Sequence, residues 1–143
     1  MISNSSKYAI KAVLYLAVNS NEEEKIIVKH IAEPINVPQP YIAKLLQQLV
    51  KEKIISSSKG PKGGFYLTEE NKTQSIMRIV YVIDGENKFN SCMLSLKACD
   101  MKNPCPLHNI ITPSKSILVQ NLKNKTIKDL AIDVKSGNSF LPL

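Results

Sequence analysis

Residues 54–67 read I-I-S-S-S-K-G-P-K-G-G-F-Y-L, and this string most narrows what the chain can fold into. Two short β-type runs, 54–58 and 64–67, flank a Gly/Pro/Lys turn, which predicts a β-hairpin. Gly60, Gly63 and Gly64 permit positive φ and close backbone approach at its tip. Lys59 and Lys62 put charge there, where a narrow groove or a phosphate can accept it. Just upstream lie two apolar stripes of helical period. Val28, Ile31, Ala32 and Ile35 fall at i, i+3, i+4 and i+7. Ile42, Leu45, Leu46, Leu49 and Val50 form the second stripe, with Gln39, Lys44, Gln47, Gln48 and Lys51 off it. Between them P-I-N-V-P-Q-P reads as a break. Asn36 can help cap there, and Pro38 suits a first helical turn, where its missing N–H would be unpaired anyway. Two helices at a tight break are either a helix-turn-helix or a plain αα-hairpin with a solvated outer face. A hairpin following directly decides for a winged helix.

The flanks extend this plan. Ser6 can cap a helix from Lys7. Over 8–18 only Lys11 is polar, so that helix is expected to be mostly buried, and 19–25 is an acidic loop. Ser75 or Thr73 can cap a helix over 76–84 that stops at Gly85. Residues 86–91 form a polar linker. Thr112-Pro113 reads as a cap and first-turn proline opening a helix to about Asn124, with Ile117, Leu118 and Leu122 on one side. Thr126 and Asp129 resemble a capping pair for a helix over 127–134, and the tail 135–143 is expected to be loose. The fold class is mostly α with a small β-hairpin wing. The division falls between a winged helix-turn-helix at 1–85 and a segment at 86–143. A helix with an apolar stripe needs a partner, either a second copy or its own domain.

Chemistry concentrates in residues 92–108, C-M-L-S-L-K-A-C-D-M-K-N-P-C-P-L-H. This stretch holds all three cysteines, Cys92, Cys99 and Cys105, and one of the two histidines, His108. Three thiolates and an imidazole are a full tetrahedral set for zinc, and also enough to hold a two-iron cluster. The C-x6-C-x5-C-x2-H spacing lacks the C-x2-C pair of a zinc knuckle or ribbon, which weakens a structural zinc site. Pro104 and Pro106 stiffen the loop around Cys105. Three Cys in one polar loop with Asp100, Lys102 and Asn103 are hard to bury, which favours metal or redox chemistry over packing. His30, on the short second helix, reads as a surface or packing residue.

The 143 residues carry a net charge of +7 with 43% hydrophobic residues, a folded and basic chain. Charge is uneven. Residues 37–64 hold five Lys against one Glu, and residues 92–143 hold seven Lys against three Asp. Such local excess suits a polyanion such as DNA. No apolar run approaches the ~18–20 residues of a membrane helix. The N-terminus lacks a secretory pattern, and an odd cysteine count argues against a disulfide framework. A cytoplasmic protein with no membrane association is expected. No Ser–His–Asp set, phosphate-binding Gly loop before a helix or paired-carboxylate site is present, so an enzyme is not expected.

Four stretches occur in order: K-Y-A-I-K-A-V-L-Y-L-A, Y-I-A-K-L-L-Q-Q-L-V-K-E-K-I-I, S-S-S-K-G-P-K-G-G-F-Y-L and the three-cysteine loop. Over essentially its whole length the chain resembles the bacterial transcriptional regulator family that contains the iron–sulfur regulator IscR and the nitric-oxide sensor NsrR. The resemblance implies a homodimeric winged-helix regulator, acting as a repressor, whose helix after the cysteine loop pairs two subunits. It implies contact with double-stranded DNA at a near-palindromic operator through Gln39, Tyr41, Lys44 and Gln47 of the recognition helix and Ser57, Lys59, Gly60, Pro61, Lys62 and Gly63 of the wing. It further implies an iron–sulfur cluster on Cys92, Cys99 and Cys105. The fourth ligand differs among members, and Cys105-Pro-Leu-His108 matches the placement of a histidine ligand. Where some relatives use an acidic residue before the Tyr of helix one, this chain has Lys7, which cannot ligate as a cation. A two-iron two-sulfur cluster is expected, with a four-iron four-sulfur cluster open. The first gap of the loop is one residue longer than in IscR, and Lys59 stands where members usually carry Arg. Lys is a point charge, which favours phosphate contact over groove insertion. The alternative is a cluster-free regulator acting through a protein partner or thiol redox.

Overall fold

A computed structural model describes residues 2–143. The elements run α1 (Asn4–Asn19), α2 (Val28–Ile35), α3 (Gln39–Lys51), β1 (Ser56–Ser58), β2 (Gly64–Tyr66), α4 (Glu69–Lys72), α5 (Ile76–Asp84), α6 (Asn87–Asn90), α7 (His108–Asn124) and α8 (Ile127–Lys135). This is a mostly helical winged-helix architecture with one two-stranded antiparallel hairpin. Among the described residues no helix is long and apolar enough to cross a membrane.

Helix α1 is the central post. Ala9, Ala12, Val13, Leu16 and Ala17 are sealed, and small residues let α2, α3, α5 and α8 approach closely. The predicted stripes of α2 and α3 face it, with Ile31, Ile42, Leu46 and Leu49 fully buried. Burying one such side chain is worth about 1.5–3 kcal/mol. Ile54 and Ile55, expected as strand, are instead core residues just ahead of β1. The hairpin register is Ser56↔Tyr66, Ser57↔Phe65 and Ser58↔Gly64. Ile26 adds a third, one-residue strand, exchanging N–H···O bonds of 2.9 and 2.8 Å with Phe65. A Cβ on Gly64 would lie 2.8 Å from the Ile26 carbonyl oxygen, so only glycine allows this approach.

Several boundaries differ from expectation. Ser3, not Ser6, caps α1, its hydroxyl accepting from the Ser6 N–H at 3.0 Å, while Ser6 itself is buried. The helix α2 runs through Pro34, because a two-turn helix forfeits only one bond to an exposed residue, His30. The break is confined to Asn36, Val37 and Pro38. Asn36 takes the left-handed conformation (φ 59°) and closes α2, and Pro40, rather than Pro38, occupies the first turn of α3. Helix α7 begins at His108, a turn before Thr112-Pro113, and Pro113 is accommodated inside it. Ser75 caps α5 and Gly85 ends it, as read from the sequence. Thr126 and Asp129 form a reciprocal capping box on α8.

The return of α8 closes the core. Ile127 is 0% exposed and Ala131 is buried beside α1. The strand-like bridge Ser75↔Thr126 pins its start to the start of α5. In the tail, Leu141 packs against the same core, whereas residues 135–140 are exposed. A second, smaller cluster joins Met77 and Val80 of α5 to Phe89 of α6, with Leu118, Val119 and Leu122 of α7 against it. This cluster seats the segment carrying the cysteines.

Candidate nucleic-acid interface and cysteine site

On α3, Gln39, Tyr41, Lys44 and Gln47 are all exposed on the side away from the buried Ile42, Leu45, Leu46 and Leu49. Tyr41 is also braced. Its ring meets Tyr8 edge-on at 6.0 Å and its hydroxyl shares a 2.7 Å hydrogen bond with Ser5 Oγ. The first turn of the candidate recognition helix is thus tied to the first turn of α1.

The wing tip projects Lys59, Gly60, Pro61 and Lys62 into solvent, with Ser57 exposed on β1. Gly60 has φ +103°, and its carbonyl accepts from the Gly63 N–H at 2.9 Å. A Cβ on Gly63 would sit 2.4 Å from the Ser58 carbonyl oxygen, so the tight tip needs glycine there. Among the described residues Lys44, Lys59 and Lys62 take part in no ion pair, which leaves their charge available to a polyanion.

The cysteine loop folds back on itself between α6 and α7. The N–H of Cys92 donates to Lys97 O and that of Cys99 to Asn90 O, both at 3.0 Å. Ser91 bridges Ala98 in antiparallel fashion. All three cysteines are unpaired thiols, each partly buried. Cys99 Sγ lies 3.3 Å from His108 Nδ1, on the first residue of α7. Cys99, Cys105 and His108 line one recess together with Ile111, Thr112 and Lys115. The Cys92 thiol is held below its ordinary range, first by the Leu94 N–H and next by the neighbouring Cys105 thiol, with the Ser95 N–H adding to them. Cys99 is pushed up, first by burial and then by the like charges of Cys92 and Cys105, against the pull of Lys115.

The structure therefore brings the three thiols and His108 into one neighbourhood. Among the described residues no three His, Cys, Asp or Glu groups close on a single point as one metal ion would need. The donor chemistry fits a soft, multi-atom group: thiolates, one imidazole, and backbone N–H groups aimed at sulfur. His30 is exposed on α2, away from this loop. Sequence reasoning missed the short helix α6, whose Phe89 is 5% exposed and anchors the approach to Cys92. A lone aromatic in the polar stretch E-N-K-F-N was the available signal.

Comparison with known proteins bears on the family and the fold. The family model Rrf2, described as an iron-dependent transcriptional regulator, matches residues 2–133. An HTH-type transcriptional regulator of Aquifex aeolicus (strain VF5) is 34% identical over 142 residues, covering 98% of this chain and 96% of that protein. Among solved structures, T. potens IscR superposes with a TM-score of 0.72 at 21% identity, covering 97% of this chain and 91% of that one. CymR, the global cysteine regulator of B. subtilis, superposes with a TM-score of 0.71 at 22% identity, covering 92% and 95%.

Proposed function

This chain belongs to the Rrf2 family of transcriptional regulators, and from that premise we propose that it is a homodimeric DNA-binding repressor whose operator affinity is set by an iron–sulfur cluster on Cys92, Cys99, Cys105 and His108. Residues 1–85 act as the DNA-binding unit and residues 86–143 as the sensing and pairing segment.

DNA recognition follows from shape and charge. A helix fits the major groove, where Gln39 and Gln47 can reach base edges and Lys44 a phosphate. Ser57, Lys59, Gly60, Pro61, Lys62 and Gly63 of the wing contact the adjacent backbone. Lys59 and Lys62 there supply the salt-dependent part of affinity. Pairing follows from α7, a 17-residue helix with no buried residue of its own. Ile110 and Ile117 are 66% and 62% exposed on it, an apolar face that a second copy would cover. Two-fold pairing then sets recognition helices about 34 Å apart on a near-palindromic operator.

The observation that carries the cluster reading is the convergence of three thiols and His108 between two elements packed on the DNA-binding unit. When bound, the cluster supplies a centre whose oxidation, loss or reaction changes how firmly the loop is tied together. The chain's own residues prepare for this. Leu94 and Ser95 N–H groups stabilise sulfur charge on Cys92, and His108 offers a ring nitrogen from the first residue of α7. The C-x6-C-x5-C-x2-H spacing, with no C-x2-C pair, favours a cluster over a structural zinc ion. Three thiolates and one imidazole suit two iron and two sulfide ions, and a four-iron four-sulfur cluster is the variant to distinguish.

The test is an absorption spectrum with iron, sulfide and zinc analysis on protein purified without oxygen, followed by operator binding with and without the cluster. Visible bands with near-equal iron and sulfide, and an altered spectrum in His108→Ala, are expected. Zinc in place of iron rejects the cluster. A second reading is favoured by the mutual reach of the thiols and the lowered Cys92. It is a cluster-free regulator working through thiol oxidation or a protein partner. Protein still colourless after reconstitution, together with operator binding that responds to oxidant, would establish it.

A further inference from the structure

Away from the cysteine site and the DNA-facing surface, Asp84 is a nearly sealed acid, its side chain 4% exposed at the end of α5. It is held from two directions. The Ser3 N–H donates to Oδ2 at 3.1 Å and the Ser3 hydroxyl donates to Oδ1. From the other side Lys88 Nζ, on α6, stands 3.4 Å from Oδ2. Ser3 is the cap of α1, so Asp84 fixes where the first turn of that helix sits. Ser5 in the same turn shares its hydrogen bond with Tyr41, in the first turn of α3.

The same joint reaches the cysteine loop. The Lys88 carbonyl accepts from Ser91 Oγ at 2.7 Å, and the Ser91 carbonyl accepts from Lys115 Nζ at 2.9 Å. Ser91 bridges Ala98, the neighbour of Cys99. Phe89 packs α6 onto Met77 and Val80 of α5 in a cluster that also takes in Ile2, Ile10 of α1 and Leu118, Val119 and Leu122 of α7, so a rearrangement of the loop moves Lys88 as part of a packed unit. The joint is anchored at the shielded Asp84 carboxylate, where water does not readily replace a lost partner, while the Ser5–Tyr41 and Ser91–Lys88 links lie at the surface.

We infer that Asp84, together with Ser3 and Lys88, is a positioning joint that passes the state of the cysteine loop to the first turn of α1 and through Tyr41 to the start of the recognition helix. The inference rests on reading residues 92–108 as the sensor. Recognition helices contact base edges with their N-terminal residues, so a small displacement at Tyr41 acts where reading occurs.

Lys88→Gln removes the ion pair from a side chain that is 40% exposed, which leaves the core intact. Operator affinity is measured for cluster-loaded and cluster-free forms. A wild-type ratio in the usual range of about 5–150-fold is expected to fall to about twofold in the variant. A purely structural role would weaken both forms alike and keep the ratio, which overturns the inference. A second measurement needs no cluster. Hydrogen exchange of cluster-free Lys88→Gln is expected to quicken in peptides spanning 4–7 and 39–42 and stay unchanged over 56–66. Unchanged exchange over 39–42 overturns the joint. A wild-type ratio of one defeats the sensor reading instead, and the exchange result still decides whether α6 and α3 are linked. In a double-mutant cycle with Tyr41→Phe, the combined loss of affinity is expected to be smaller than the product of the single losses.

Discussion

Asp84 and the three thiols show how single residues here are tuned by what surrounds them. Burial raises the Asp84 carboxyl, but the Ser3 hydroxyl and N–H, with Lys88, outweigh it and hold the group below the ordinary aspartate value. The folded value is depressed, so its stabilisation is complete above the ordinary value near pH 4 and fades as pH falls through the folded one. Asp84→Asn is expected to lose about 2 kcal/mol at pH 7, the scale of hydrogen bonds to a charged group. Urea titrations at pH 7 and pH 3 check the sign, since the gap to wild type should shrink at the lower pH. Gly63 is a second such residue. Gly63→Ala forces a Cβ against the Ser58 carbonyl. About 1–3 kcal/mol of strain there should open the wing tip and cost about tenfold in operator affinity, with helical circular dichroism unchanged.

Among the elements, α8 ranks as part of the core by burial, despite lying last in sequence. Ile127→Ala is expected to cost about 2–5 kcal/mol because the site is fully enclosed. Thr126→Ala, which removes one half of the capping box, is expected to cost about 1 kcal/mol. Thermal unfolding of the two variants separates packing from capping. If α8 were an appendage, neither change would lower the midpoint of the winged helix. The wing behaves differently, because its strands are three residues each and its tip is solvated. Its contribution is expected in binding rather than stability. Lys59→Ala and Lys62→Ala should each reduce the slope of log affinity against log salt by about 1 per tip on the operator, with little change in unfolding.

For the whole molecule, α7 and the loop before it leave apolar side chains facing solvent in a single copy, Leu96, Met101, Ile110 and Ile117 among them. Exposed apolar groups gathered on one helix mark an interface. Ile117→Glu is expected to give monomers by light scattering with helical circular dichroism unchanged and an unfolding midpoint that no longer rises with protein concentration, and to weaken operator binding by more than tenfold as the two-site geometry is lost. A monomeric wild-type protein would remove this reading. The cysteine loop sits at the base of that helix, so the proposed pairing face, the proposed sensor and the α6 joint would share one end of the molecule.

Much of the architecture follows from periodicity, caps and turn chemistry, which act within a few residues. The stripes of α2 and α3, the capping box of α8, Gly85 at the end of α5 and the glycine wing tip were legible for that reason. The candidate donors in residues 92–108 could be named for a different reason, because cysteine and histidine announce their chemistry by type alone. What the sequence could not decide is which local option wins when two are equal. Ser3 and Ser6 can both cap α1, and it is Asp84, 81 residues away, that holds Ser3 in place. Asn36 could open one helix or close another, and packing of Ile35 and Ile42 on α1 made it a closer. Phe89 in a polar linker, Ile26 as a third strand and Cys99 beside His108 depend on chain segments meeting in space. Local residues thus determined the elements and the chemistry available to them, and only tertiary packing decided which of those groups meet, because that choice is made by burial and long-range pairing.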